Sequence, residues 1–215
     1  MTSAREPATI RPYRPGDEAG AYHVCLKTGD FGGDGEPYFR ADPDALGRIY
    51  VGPYLCFEPE LAWMLEDTEG IVGYALAALD TERFFRRYET EWRPELVKRF
   101  PEPRGDRSSW SRVEETHWLY YHPDYFAPEP RAQYPSHCHI DLVERAQSRG
   151  HGRRMMEILL AALRERGSAG VFLGLSAKNE RANRFYAKLG FVELARDGAG
   201  NDAAIYMGVR FEELA

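Results

Sequence analysis

Gln147-Ser148-Arg149-Gly150-His151-Gly152 (QSRGHG, residues 147–152) separates an apolar, strand-like run at 137–143 from an amphipathic run at 153–166. A glycine-rich turn between a strand and a helix points several backbone N–H groups toward one spot, and the helix N-terminus adds about half a positive charge behind them. The natural ligand of such a turn carries phosphate. Nothing in the six residues names the cofactor, so the reading depends on what surrounds them.

Downstream the pattern is regular. The strand at 137–143, the turn, the helix at 153–166, a stop at Gly167, a strand at 171–175, a helix at 180–189 and a stop at Gly190 make a right-handed parallel unit. Residues 191–195 and 204–211 read as a closing strand pair around the loop 196–202. Upstream, 9–13 resembles a first strand, and Pro15-Gly16-Asp17 opens a helix to Lys27 with Ala21, Val24, Cys25 and Leu26 on its apolar side. FGGDGEP at 31–37 is a connector or a loop that approaches a ligand. A second helix is expected from Asp42 or Asp44 to about Tyr50, then a strand pair at 61–66 and 71–79. The predicted fold class is α/β, a mixed twisted sheet flanked by helices, in one domain spanning 1–215.

A long insertion, 81–135, interrupts the strands with twelve aromatic residues, among them Phe84, Phe85, Tyr88, Tyr120, Tyr125 and Phe126. Part of it, 82–100, has helical character, and the Pro-rich part, 122–135, reads as an ordered loop. Its aromatics either pack onto the main core, wall a substrate pocket or form a homodimer surface.

Composition narrows the class. With 43% hydrophobic and 29% charged residues the chain is of the ordinary soluble type. The longest apolar run, 71–79, is too short to span a bilayer, and the first eleven residues lack the apolar core of a signal peptide, so no membrane partner and a cytoplasmic location are expected. Cys25, Cys56 and Cys138 form no CxxC pair, which argues for reduced, structural thiols. The net charge of -6 disfavours nucleic acid as a partner. Residues 144–190 nevertheless carry ten Arg and Lys against four acids, a local +6 that leaves -12 elsewhere. That asymmetry suits a polyanionic small ligand beside a cationic co-substrate.

Two further stretches join the turn: HIDLVERA at 139–146 and NERANRFYAKLGF at 179–191. Together the three resemble the GCN5-related N-acetyltransferase (GNAT) superfamily, in which Gln/Arg-x-x-Gly-x-Gly/Ala binds the coenzyme A pyrophosphate and Asn-x-x-Ala-x-x-Phe/Leu-Tyr-x-Lys-x-Gly-Phe forms a helix beside the pantetheine arm. The resemblance covers 137–211 closely and 9–79 by pattern. It implies acetyl-CoA as cofactor and acetyl transfer to a primary amine by direct attack. Through SHCHIDL at 136–142 the chain looks most like the acetyltransferase-like domain of O-GlcNAcases and its free-standing bacterial relatives.

On that resemblance, Gln147, Ser148, Arg149, Gly150, His151, Gly152 and Arg153 form the pyrophosphate site, mostly through the amides of 149–153. Both glycines permit an approach that a Cβ would obstruct. Ile140, Asp141 and Leu142 splay from the parallel neighbour and offer backbone groups to the pantetheine. Asn179 contacts the pantetheine and also suits a helix N-cap. Phe185 belongs to the same helix motif. Lys188 and Arg184 either reach the adenosine 3′-phosphate or stay solvated. Tyr186 matches the tyrosine that protonates the departing thiolate.

The family's usual general-base positions fall on Gly174 and Ser136, neither of which accepts a proton. That leaves Asp141 as the catalytic candidate, a carboxylate in a hydrophobic strand, where it is costly unless paired or used. Water-mediated deprotonation and a purely structural Asp141 are the alternatives. His137 and His139 alternate with Asp141 on one strand face, a pattern that also occurs in metal sites, although no metal is assigned here. Besides the enzyme, two other readings stand: a module that holds acyl-CoA without catalysis, and a protein-interaction domain built on the aromatic insertion.

Overall fold

A computed structural model describes residues 8–123 and 133–214. In chain order the elements are β1 (Thr9–Pro12), α1 (Glu18–Lys27), α2 (Gly47–Tyr50), α3 (Gly52–Phe57), β2 (Ala62–Asp67), β3 (Gly70–Ala78), α4 (Thr81–Arg87), α5 (Arg93–Arg99), α6 (Arg112–Tyr121), β4 (Ser136–Leu142), α7 (His151–Glu165), β5 (Gly170–Ser176), α8 (Glu180–Ala187), β6 (Val192–Asp197) and β7 (Ala204–Arg210). The strands form one mixed sheet in the order β1-β2-β3-β4-β5-β7-β6. Every pairing is antiparallel except β4 with β5, which are joined by α7 as crossover. The expected α/β class and parallel unit are therefore present. Among the described residues no helix is long and apolar enough to cross a membrane.

The sheet is filled from both faces. Buried Met155, Met156, Leu159, Ala162 and Leu163 recur at helical spacing along α7 and form its core stripe against β2, β3 and β4. Ala21, Val24 and Cys25 of α1 pack on β3 and β4. Close approach of α1 to its neighbours requires small residues: a Cβ on Gly20 would come within 2.8 Å of the Ile71 side chain of β3, and one on Gly47 of α2 would strike the Tyr22 ring.

Three local expectations change. The helix expected from Asp42 or Asp44 is regular only from Gly47 to Tyr50, and a second short helix, α3, follows at once with Pro53 in its first turn. Helix α7 starts at His151, two residues before the expected Arg153, because Gly150 at φ +83° is the N-cap and Gly152 already lies in the first turn. The insertion is more helical than expected: 82–100 forms α4, a π-turn at Tyr88–Trp92 and α5, and α6 follows. Helix α6 is nucleated by a capping box in which Ser111 and Glu114 satisfy each other's backbone N–H groups. The expected ordered loop at 122–135, with Tyr125 and Phe126, lies largely outside the described residues.

Leu159 is fully buried on the central face of α7. Leu159→Ala is expected to cost about 2–5 kcal/mol, read as a lower urea midpoint at unchanged slope.

Candidate functional site

Strands β4 and β5 pair at only two positions, Ser136 with Val171 and His137 with Phe172. Beyond these they diverge, although β4 continues to Leu142 and β5 to Ser176. From Cys138 onward the β5-facing side of β4 therefore has no ladder partner on β5, a polar edge that calls for a hydrogen-bonding occupant. A cleft of about 510 Å³ lies there, lined by Ile140, Asp141, Leu142, Gln147, Ser148, Gly150, Gly152, Arg153, Asn179, Phe185, Tyr186 and Lys188, with Thr28 and Gly32. Of the residues expected to hold the cofactor, only Arg149 and His151 do not line it.

The turn holds two residues in left-handed conformation, Ser148 at φ +60° and Gly150 at φ +83°. A non-glycine residue there is strained, and such strain persists only where the surroundings fix it. Gln147 is the fixing element. Its Nε2 donates to the Leu142 carbonyl at 2.6 Å and its Oε1 accepts from Arg181, which also donates to Ser148 Oγ. The end of β4, the turn and α8 are thus laced by one side chain. The glycines divide the work that the sequence assigns to both: a Cβ on Gly150 would meet nothing, so its role is conformational, whereas a Cβ on Gly152 would protrude between the cleft and the Phe185 ring. A cradle of this shape, ending in a helix N-terminus and flanked by exposed Arg153, fits a diphosphate.

Asn179 is the N-cap of α8, with Oδ1 accepting from Ala182 N at 3.0 Å. Gly32, in the FGGDGEP loop, lies so close that a Cβ would come within 2.7 Å of Asn179 Nδ2, so this loop is one that approaches the cleft. Tyr186 is buried, with its ring edge-on to Phe185 and tilted against Phe191. Burial, then Cys138 and Asp141, push its hydroxyl well above the ordinary tyrosine range, so it keeps its proton. Arg184 is ion-paired with Glu180 at 3.0 Å on the exposed helix face.

Asp141 sits opposite Tyr74 in the β3–β4 register, and Tyr74 Oη donates to Asp141 Oδ2 at 2.6 Å. Burial pushes the Asp141 carboxyl up to about 6, against the hydroxyls of Tyr74 and Thr28, which pull it down. A proton acceptor with that value is poised near neutrality. The two positions where the family carries acids hold other chemistry. Ser136 is buried and donates to the Leu79 carbonyl at 2.6 Å, and Gly174 is exposed on β5.

A second cleft, of about 310 Å³, adjoins the first along β4, lined by His137, Cys138 and His139 and walled by Tyr50, Tyr54, Phe84, Phe85, Tyr88 and Tyr206. The insertion packs onto the core as one expectation had it, with Phe84, Tyr88 and Tyr120 buried there, and Phe84, Phe85 and Tyr88 wall this cleft. Among the described residues no large apolar side chain of the insertion is exposed. His137 stacks on Phe85 at 5.0 Å, and Thr81 Oγ1 donates to the Pro135 carbonyl, which leaves it to accept from His137 Nδ1 at 2.9 Å. Among the described residues no three His, Cys, Asp or Glu converge as metal ligands. Sequence reasoning passed over Tyr74, whose place opposite Asp141 depends on strand register.

The model of the acetyltransferase (GNAT) family matches residues 34–191. Protein O-GlcNAcase of Rattus norvegicus is 32% identical over 207 residues, 95% of this chain, as is the Mus musculus protein. The chain spans only 22% of the length of these relatives, so the likeness concerns one part of them. The crystal structure of SsHAT shares 40% identity and a TM-score of 0.84 over 94% of this chain and 98% of that one. YncA of Salmonella typhimurium, solved with its cofactor acetyl-CoA, shares the fold at a TM-score of 0.54 and 14% identity, over 96% and 95% of the two chains.

The glycine assignments give opposite signs on stability. Gly150→Ala forces a side chain into the left-handed region and is expected to destabilise by about 1–2 kcal/mol. Gly152→Ala, in the first turn of a helix, is expected to be neutral or stabilising by up to about 1 kcal/mol, both read by urea unfolding.

Proposed function

The chain belongs to the GNAT acetyltransferase family, and from that membership we propose that it binds acetyl-CoA and moves the acetyl group to a primary amine by direct attack. The observation that carries this reading is the divergence of β4 from β5 after two residue pairs, directly before an intact phosphate-type turn. The amides of 149–153 hold the pyrophosphate, with Gln147 and Ser148 fixing the turn that aims them. The backbone of Ile140, Asp141 and Leu142 pairs with the pantetheine as a strand would, Asn179 Nδ2 and the Phe185 ring bound its other side, and Lys188 serves the outer phosphate. The acidic remainder of the chain suits a cationic or neutral amine better than an anionic acceptor.

Acetyl-CoA, when bound, supplies an acyl group activated as a thioester. Tyr186 Oη, which carries its proton near neutral pH, delivers it to the departing sulfur. Asp141 Oδ takes the proton that the amine nitrogen loses as the C–N bond forms and the C–S bond breaks. Return of that proton to Tyr186 through solvent restores both groups. Ser136 and Gly174, where the family carries acids, favour a second reading in which the chain holds acyl-CoA and turns over little. Tight acetyl-CoA binding without thiol release across broad amine and peptide panels would select it.

Tyr186→Phe is expected to lower kcat about 10²- to 10⁴-fold with acetyl-CoA affinity unchanged by calorimetry. A variant as active as the parent contradicts the assigned role. Because the Asp141 carboxyl is raised to about 6, kcat/KM is expected to fall as pH drops through about 6 and the carboxylate protonates. Asp141→Asn is expected to abolish that limb, and a limb that persists in the variant rules Asp141 out as the proton acceptor.

A further inference from the structure

The described lining of the second cleft carries no formal charge. Among the described residues no Asp, Glu, Lys or Arg lines it, and its walls are mostly rings and aliphatic side chains, with the hydroxyl of Ser176. His139 stands edge-on to Tyr50 and Tyr54, with centroids 5.9 and 5.4 Å away, and its ring nitrogens hydrogen-bond to none of the described residues. Burial pushes the imidazole down to about 4, so it is neutral near pH 7 and presents a lone pair. The cleft adjoins the cofactor cleft along consecutive residues of one strand, so a ligand in it would abut whatever lies against Ile140.

We propose that this cleft is the acceptor subsite and that it takes a weakly basic primary amine carried on an aromatic ring, an arylamine, whose N–H donates to His139. The proposal rests on the acetyl-transfer reading above. An alkylammonium entering here would lose its hydration with no carboxylate among the cleft's described lining residues to replace it. Asp141, the one carboxyl on β4, lines the neighbouring cleft and is held by Tyr74. An arylamine is neutral near pH 7, needs no prior deprotonation to act as a nucleophile, and matches the walls by ring-to-ring packing. The same logic accounts for glycine at 174, where the cleft wall carries no side chain. Aromatic faces also attract cations, so a polyamine is the competing occupant.

The test compares 4-methylaniline, spermidine and a lysine-containing peptide on the full chain near neutral pH. One readout is thiol release from saturating acetyl-CoA, and the other is amine binding by saturation-transfer NMR in the presence of coenzyme A. The arylamine is expected to show kcat/KM on the order of tenfold or more above both alkylamines. Gly174→Glu, at an exposed position where a Cβ meets only the Tyr206 ring at 3.3 Å, is expected to weaken arylamine binding and improve spermidine binding. Tyr50→Ala, at a residue 37% exposed and so compatible with folding, is expected to weaken the arylamine without aiding spermidine. Preference for spermidine or the peptide overturns the proposed acceptor class and leaves acetyl transfer standing. Arylamine binding that responds to both variants, without thiol release, supports the subsite and contradicts the transfer reading. Absence of arylamine binding overturns the proposal.

Discussion

The separation of β4 from β5 after two residue pairs is the constraint on which the site depends. Two parallel strands in one sheet ordinarily satisfy each other's backbone, and strands that part leave polar groups that need another partner. Here the gap is held open from several directions. Helix α8 brings Phe185 and Tyr186 to the cleft, Gln147 ties the Leu142 carbonyl to the turn, and Arg181 ties the turn back to α8. The strained Ser148 is the local cost of aiming the amides inward, and the braces on either side keep it in place.

Electrostatics divide the molecule along the same line. Arg153, Arg181, Arg184 and Lys188 line the cleft beside the turn, and individual surface pairs such as Arg184–Glu180 add little to stability. Their collective field is what favours a polyanion. The adjoining cleft carries no formal charge among its described lining residues, and its two histidines are held neutral by burial. Asp141 lies between these environments, buried enough to titrate near neutrality and anchored by a tyrosine from the next strand.

Much of this was legible in the sequence because it is written locally. Gly150, Gly167 and Gly190 all take positive φ where the sequence places a turn or a stop, and the apolar spacing of α7 and the strand-helix-strand rhythm from 136 to 187 need no distant partner. The boundaries of α7 shifted because a glycine in the first turn of a helix looks like part of the preceding loop. Helix α6 was passed over although Ser111 and Glu114 carry a capping-box spacing, since the aromatic density of the segment masked it. The Tyr74–Asp141 bond follows from strand register, and the aromatic cleft gathers α2, α3, the insertion, β4, β5 and β7 around one space. Neither property is local, so no stretch of sequence announces it.

A crystal structure with acetyl-CoA bound tests the central claim most directly. The expected result is a pyrophosphate on the amides of 149–153, a pantetheine paired with the backbone of 140–142 in the gap between β4 and β5, and a thioester sulfur within hydrogen-bond reach of Tyr186 Oη. A cofactor lying elsewhere, or strands β4 and β5 closed into a continuous ladder, would contradict the account.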